Sequence, residues 1–281
     1  MKIIFSEKCL EYNMPGHPES PERVMYSHKY LKEKGYTFVE PSPCLEEDAL
    51  SAHSNGLVEK VKKGDFSDFD TPALPDIYDH ALLAAGAAIE AMEIAAGGES
   101  VFSLMRPPGH HATKNNLGGF CYFNNMAISV KKTLRTRNRA AIIDIDCHHG
   151  NGTEDIFLSD SRVLFISLHQ SPLYPGTGLT SRENCLNYPL KPNTDVDSYL
   201  GVLEEALEKV RDHEPDIIGV SAGFDTYKND PITNLMLDFG AYHKIGELFK
   251  ELSRPLFTIL EGGYDKDIPL CIESYLEGID G

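Results

Sequence analysis

The stretch Ala140-Ala141-Ile142-Ile143-Asp144-Ile145-Asp146-Cys147-His148-His149-Gly150-Asn151-Gly152 decides how this chain is read. Its apolar start is too short for a helix and predicts a buried strand over Ala140 to Asp146. The strand runs straight into a loop rich in acids and imidazoles. The ends of such strands are where α/β proteins build their sites. Asp144, Asp146 and His148 occupy alternate positions, so an extended chain sends all three side chains to one side.

Working outward, Lys2–Phe5, Val101–Leu104, Val163–His169, Asp216–Ser221 and Leu256–Leu260 also read as strands. Helices are expected over Pro21 to about Lys34, His53–Lys63, Asp76–Ala96, Asn124–Arg135, Asp195–His213 and Asp238–Leu252, with a last one after Pro269. Gly64 to Pro75 reads as an acidic surface loop. Apolar strands separated by amphipathic helices predict an α/β fold, with a mostly parallel sheet covered on both faces. Four polar, glycine-rich loops should then meet at one sheet edge: Asp144–Gly152, His169–Gly178, Gly223–Asp225 and Glu261–Tyr264.

The chain has 281 residues and no linker, repeat or low-complexity tract, and it reads as one catalytic domain over 1–281. A net charge of −17 argues against a nucleic-acid partner. No run is apolar enough to span a bilayer, and the first residues lack a secretion pattern, so a cytoplasmic protein without membrane contact is expected. The six cysteines have no paired CxxC spacing and should be reduced.

The chemistry follows from residue types. Asp146 and His148 suit direct metal ligation, and Asp225, after Ser221-Ala222-Gly223-Phe224, is the natural third ligand. Three protein ligands with a position left open is the catalytic zinc pattern. His110 and His111 follow a Pro-Pro-Gly turn and read as proton-transfer groups, with Asp144 and Asn151 as candidate partners for their far nitrogens. Tyr264 can donate a hydrogen bond to a carbonyl oxygen that gains charge, and Gly119 and Gly262 let backbone pass close to a ligand. Phe120 and Tyr174 are candidate walls of an apolar channel, and Asp70 a candidate grip for a substrate amide or amine at its mouth.

Read together, Arg106-Pro-Pro-Gly-His-His-Ala112, Gly118-Gly-Phe-Cys-Tyr-Phe-Asn-Asn125, Asp144-Ile-Asp-Cys-His-His-Gly-Asn-Gly-Thr153, Ser221-Ala-Gly-Phe-Asp225 and Glu261-Gly-Gly-Tyr264 resemble the zinc-dependent histone deacetylase superfamily. That group includes acetoin-utilisation proteins and acetylpolyamine amidohydrolases. His17-Pro-Glu-Ser-Pro-Glu-Arg23 resembles its first active-site loop. The resemblance implies the arginase/deacetylase fold, three α/β/α layers around a parallel eight-stranded sheet. It implies zinc on Asp146, His148 and Asp225, with ferrous iron a competitor in the cell. It also implies a structural potassium ion on Asp144 and Ser167 with backbone carbonyls of Asp146, His148 and Leu168. Asn151 and the Gly-His-His join resemble class II and prokaryotic members. Ile232 departs from one branch: class II enzymes selective for acetylpolyamines carry a glutamate there.

The expectation is a zinc-dependent amidohydrolase that removes an acetyl or other short acyl group from a lysine side chain, a polyamine or another amine. Metal-activated water would attack, the His pair would relay protons, and Tyr264 would polarise the carbonyl. Two rivals stand beside it: a two-manganese ureohydrolase on the same fold, and a non-catalytic binder of acylated amines. Oligomeric state is open at this point.

Overall fold

The computed structural model describes residues 1–281. Eight strands form one sheet: β1 Lys2–Ile4, β2 Thr37–Val39, β3 Val101–Ser103, β4 Ala140–Asp144, β5 Val163–Gln170, β6 Cys185–Leu190, β7 Ile217–Ala222 and β8 Leu256–Leu260. Their spatial order is β2-β1-β3-β8-β7-β4-β5-β6 and every neighbouring pair is parallel. The sheet is therefore wholly parallel rather than mostly so. The central strands are buried along their whole length, as parallel strands covered on both faces must be.

Nine α-helices cover the sheet: α1 Pro21–Glu33, α2 Glu46–Ala52, α3 Asn55–Lys63, α4 Ile77–Ala96, α5 Asn125–Thr133, α6 Asn151–Phe157, α7 Val196–His213, α8 Phe239–Glu251 and α9 Ile268–Asp280. Their mutual contacts fall into two sets, α2–α6 and α1 with α7–α9, which gives the three layers. Local chemistry sets the helix starts. Asn124, Asp195 and Asp238 accept a hydrogen bond from the amide three residues on, satisfying a donor that the first turn leaves free. The apolar side chains of both layers and the sheet merge into one buried cluster of 78 residues.

Several expectations needed correction. The strand expected to Asp146 ends at Asp144, so Asp146 and His148 sit in the following bend and not on extended backbone. Two strands, β2 and β6, and two helices, α2 and α6, were not anticipated. The expected helix from His53 begins at Asn55, because the Ser54 side chain caps it on Leu57 N.

A buried ion pair joins the amino-terminal loop to the loop after β3. The Arg106 guanidinium donates to Glu19 through Nε (2.5 Å) and through a second nitrogen (2.8 Å). It also donates to the carbonyls of Cys9 (2.7 Å) and Glu19 (3.1 Å). Burial pushes the Glu19 carboxyl up, but the Arg106 charge and hydrogen bonds, with Arg23 behind them, hold it below its ordinary value. Arg106→Met should cost about 3–5 kcal/mol in urea unfolding, because it strips buried Glu19 of its main ion-pair partner and leaves only Arg23 and the Tyr12 hydroxyl; a loss below about 1 kcal/mol would contradict the pairing. The Glu19 contribution should be complete above its unfolded value of about 4.3 and fade as pH falls through its lower folded value. Glu19→Gln should remove that part of the acid-side loss.

Candidate active site

Loops after β3, β4, β5, β7 and β8 meet at the carboxyl edge of the sheet and enclose a cavity of about 440 Å³. Its lining includes His110, His111, His148, Gly119, Phe120, Tyr174, Gly262, Tyr264 and Asp70. Asp146 and Asp225 lie directly beneath and are buried. With His148 they form a group whose ligand atoms all lie within 4.8 Å of one another, a possible metal site.

The donor set fits a divalent cation. One oxygen of each carboxylate is fixed by backbone: Cys147 N donates to Asp225 Oδ1 (2.8 Å) and Gly262 N to Asp146 Oδ2 (2.8 Å). Asp225 Oδ2 is buried without a hydrogen-bond partner. His148 Nδ1 stands 2.9 Å from that oxygen and 3.0 Å from Asp146 Oδ1. Nδ1 and Asp225 Oδ2 lie this close without hydrogen-bonding geometry, which leaves the oxygen open to a cation. Burial and the neighbouring Asp146 charge push the Asp225 carboxyl up to about 6. Burial would lower His148, but its two carboxylate neighbours lift it to about 10. Three groups held this closely at such a cost are characteristic of a site that trades protons for a cation.

The two imidazoles of His110 and His111 pack 4.0 Å apart between ring centres. His110 Nδ1 lies 2.9 Å from Asp144 Oδ2, and His111 Nδ1 lies 2.7 Å from Asn151 Oδ1. In both rings this leaves Nε2 free of those partners. Burial alone would hold both rings neutral. At His110 the Asp144 and Asp146 charges override it and raise the ring well above its ordinary value. At His111 burial is joined by repulsion from His110 and His148, and the ring is lowered well below. Gly119 is required here, since a Cβ on it would come within 2.7 Å of the His111 ring. Phe120 follows with φ +68°, a left-handed conformation that an aromatic residue holds only at a cost. Tyr174 stands edge-on to His111 at 5.0 Å, and Phe120 edge-on to Tyr264 at 5.9 Å.

Four buried polar residues support this arrangement, and sequence reasoning had given none of them a role. Glu261 Oε2 accepts from Gly109 N (2.7 Å) and His110 N (3.2 Å), so the loop of Tyr264 carries the loop of the His pair. Arg23 donates to the carbonyls of Gly263 (2.5 Å) and Glu261 (2.7 Å), and its guanidinium lies 4.7 Å from the Tyr264 ring centre. Burial raises the Tyr264 phenol well above its ordinary value, which keeps it a donor, although Arg23 pulls the other way. His149 Nδ1 meets Thr177 Oγ1 (2.8 Å), and His169 Nε2 donates to the Gly178 carbonyl (3.0 Å). These two contacts fasten the loop that carries Tyr174. Arg23, Glu261 and His149 lie in motifs quoted above and His169 at the start of a quoted loop, which was the available signal.

The residues expected around a potassium ion are also adjacent. Asp144 and Ser167 are partners across β4 and β5, and Leu168 follows. Burial, with the nearby His149, lowers His169 to about 4. The neutral ring accepts at Nδ1 from the Ser167 hydroxyl (2.9 Å), which leaves the serine lone pairs available. The carbonyl oxygens of Asp146 and His148 accept no backbone hydrogen bond, an unusual state for buried carbonyls.

Comparison with known proteins is decisive at this point. A model of the histone deacetylase domain matches residues 17–279. This chain belongs to the histone deacetylase family. It is 41% identical to a probable deacetylase of Archaeoglobus fulgidus, across 93% of this chain and 80% of that one. It is 40% identical to acetylpolyamine amidohydrolase 2 of Pseudomonas aeruginosa, across 67% of this chain and 58% of that one. The fold superposes on the crystal structure of an acetylpolyamine aminohydrolase from Burkholderia pseudomallei with a TM-score of 0.95, at 23% identity, covering 100% and 99% of the two chains. The arrangement of layers and strands is the arginase/deacetylase fold.

Gly262 tests the geometry of the ligand cluster. A Cβ there would stand 2.6 Å from both Asp146 Oδ2 and Asp225 Oδ2. Gly262→Ala should therefore weaken divalent-metal affinity by about 10–100-fold, the usual effect of disturbing what orients a ligand. Metal titration of the purified chain measures it, and unchanged affinity would contradict the close approach.

Proposed function

We propose that this chain removes an acetyl or other short acyl group from an acylated amine, such as a lysine side chain or a polyamine. Family membership makes it a hydrolase of amide C–N bonds. The observation that carries the finer reading is a single cavity lined by a paired imidazole, a phenol and His148, the residue that completes a ligand cluster with buried Asp146 and Asp225. A zinc ion on Asp146, His148 and Asp225 would polarise the substrate carbonyl and acidify a water. Ferrous iron suits the same donors. Asp144 and Ser167, with the carbonyls of Asp146, His148 and Leu168, would hold a structural potassium ion.

The chain's own residues divide the remaining work. Asp70 accepts an N–H of the substrate at the opening. Phe120 and Tyr174 flank its alkyl chain and exclude bulk water, while Gly119 and Gly262 let main chain approach it. Tyr264 donates from its phenol to the carbonyl oxygen as that oxygen gains charge. His111, oriented by Asn151, takes a proton from the attacking water at Nε2. His110, tied to Asp144, supplies the neighbouring positive charge and helps return the proton to the amine nitrogen as the C–N bond breaks. One water adds across one amide, yielding a carboxylic acid and an amine.

Tyr264→Phe should lower kcat by about 10²–10³-fold, the typical effect of losing one oxyanion donor, while zinc content stays unchanged. Near-normal turnover would remove that role. His111→Ala should cost a similar factor, about 10²–10⁴-fold for a general acid–base group, and undiminished turnover would remove the relay. The two-manganese rival is tested by elemental analysis of the active protein: one zinc per chain supports the reading above, and two manganese per chain would replace it. A chain that bound acetylated amines without turning any over would instead support the non-catalytic rival.

A further inference from the structure

We infer that Asp230 is a positioning residue for Tyr264: its buried carboxylate fixes the main chain at Tyr264 and so sets where the phenol meets the substrate carbonyl. The inference rests on the role given to Tyr264 above and extends it to a residue outside the cavity lining.

The loop after β8 needs such an anchor because of its second glycine. Up to Gly262 the main chain is tied down. Glu261 N donates to the Ala222 carbonyl (2.9 Å), Gly262 N donates to Asp146 Oδ2 (2.8 Å), and the Gly262 carbonyl accepts from Phe224 N (3.1 Å). Gly263 follows with φ +117°, a conformation open to glycine and closed to most other residues. Rotation about this residue would carry the phenol away without breaking any of those three ties. Contacts at or beyond Gly263 must therefore hold it. Arg23 Nε donates to the Gly263 carbonyl (2.5 Å), and Asp230 Oδ2 accepts from Tyr264 N (2.8 Å). The second is the only hydrogen bond made by the main chain of Tyr264. Downstream there is no substitute, because Asp267 N and Ile268 N bond back to Asp265 (2.9 and 3.1 Å) in a turn closed on itself before α9.

Asp230 is built for this task. It is only 6% exposed and lies in the loop after β7, which also carries Asp225. That loop is stiff: Asp230 N donates to the Tyr227 carbonyl (2.9 Å), Lys228 N donates to the Leu237 carbonyl (2.9 Å), and Pro231 follows. The other carboxylate oxygen, Oδ1, accepts from Ile232 N (3.0 Å), which keeps the group from rotating away from Tyr264. No lysine or arginine bonds to it, so a buried carboxylate is held by two neutral amides. A buried charge is costly, and an apolar side chain would fill the space more cheaply. Both amides require an acceptor. Asparagine offers one acceptor oxygen, and its own NH₂ would then face the second N–H donor to donor.

The test is a double-mutant cycle on one acetyl-lysine peptide, with kcat, KM and zinc content measured for the zinc-loaded native chain, Asp230→Asn, Tyr264→Phe and the double variant. Asp230→Asn should lower kcat by about 10²-fold, the effect of roughly a 1 Å misplacement, with KM and zinc content unchanged. Added to Tyr264→Phe, it should leave kcat within about twofold of Tyr264→Phe alone, because the hydroxyl it places is already gone. Hydrogen exchange gives a reading independent of turnover: the Tyr264 amide should exchange faster in Asp230→Asn while the Gly262 amide keeps its protection. If Asp230→Asn does not fold, Asp230→Ser takes its place in the same cycle with the same expectations. Equal losses with and without the Tyr264 hydroxyl, a loss explained by missing zinc, or normal turnover in Asp230→Asn would each overturn the inference and leave the deacetylase reading intact. Normal turnover in Tyr264→Phe would remove the role of Tyr264 itself, and the inference with it.

Discussion

The structure depends on how buried negative charge is balanced at the carboxyl edge of the sheet. Asp144, Asp146, Asp225 and Glu261 are all buried there, and none of their carboxylate groups bonds to a lysine or an arginine. Their partners are backbone amides, one serine and histidines. Carboxylates removed from water without full compensation are costly. Amides from the loops after β3, β4 and β8 lower that cost, and because several of them reach a carboxylate on a different loop, compensating the charge also assembles the site. What the amides leave over, most plainly the unpartnered Asp225 Oδ2, is a demand for a cation.

The same logic explains why the loops cannot vary independently. Glu261 ties the Tyr264 loop to the His110 loop, and Gly262 N ties it to Asp146. Arg23 reaches the same loop from an amino-terminal helix 240 positions away. A change in any one of these loops moves ligands, imidazoles and phenol together. The residues under the Tyr174 loop work in the same way, since His149 is both the neighbour of His148 and a partner of Thr177.

Much of this was legible in the sequence, for physical reasons that also mark its limits. Strands β4, β5, β7 and β8 are buried on both faces and so read as continuous apolar runs, and their ends located the site. β2 has only three residues at a sheet edge, and β6 contains Asn187 and Pro189 at the other edge, so neither shows the buried-strand pattern. Helix α6 starts at Asn151 inside the glycine-rich motif, where glycine argues for a loop. The approximate positions of Asp146, His148 and Asp225 followed from chemistry, but their convergence depended on a bend after Asp144, not on strand alternation. Glu261, Arg23, Glu19 and Arg106 act through contacts between segments far apart in sequence. No local pattern encodes such pairings, so a buried arginine or glutamate cannot be told from a surface one until the fold is known.

The cavity is therefore built in two regimes. Its deep end is closed, charged and fixed by contacts that each serve more than one catalytic group, so the chemistry there has little freedom to change. Its opening is formed by side chains such as Phe69 and Ile232 that are exposed and carry little of the fold. Surface positions of this kind tolerate substitution within about 0.5 kcal/mol, which leaves them free to follow the substrate. Relatives that share the deep end can thus differ in the amine they accept without disturbing the metal cluster. Specificity in this chain is accordingly to be sought in the four segments that bring Pro18, Phe69, Leu173, Tyr174 and Ile232 around one opening, and not in the residues that perform the hydrolysis.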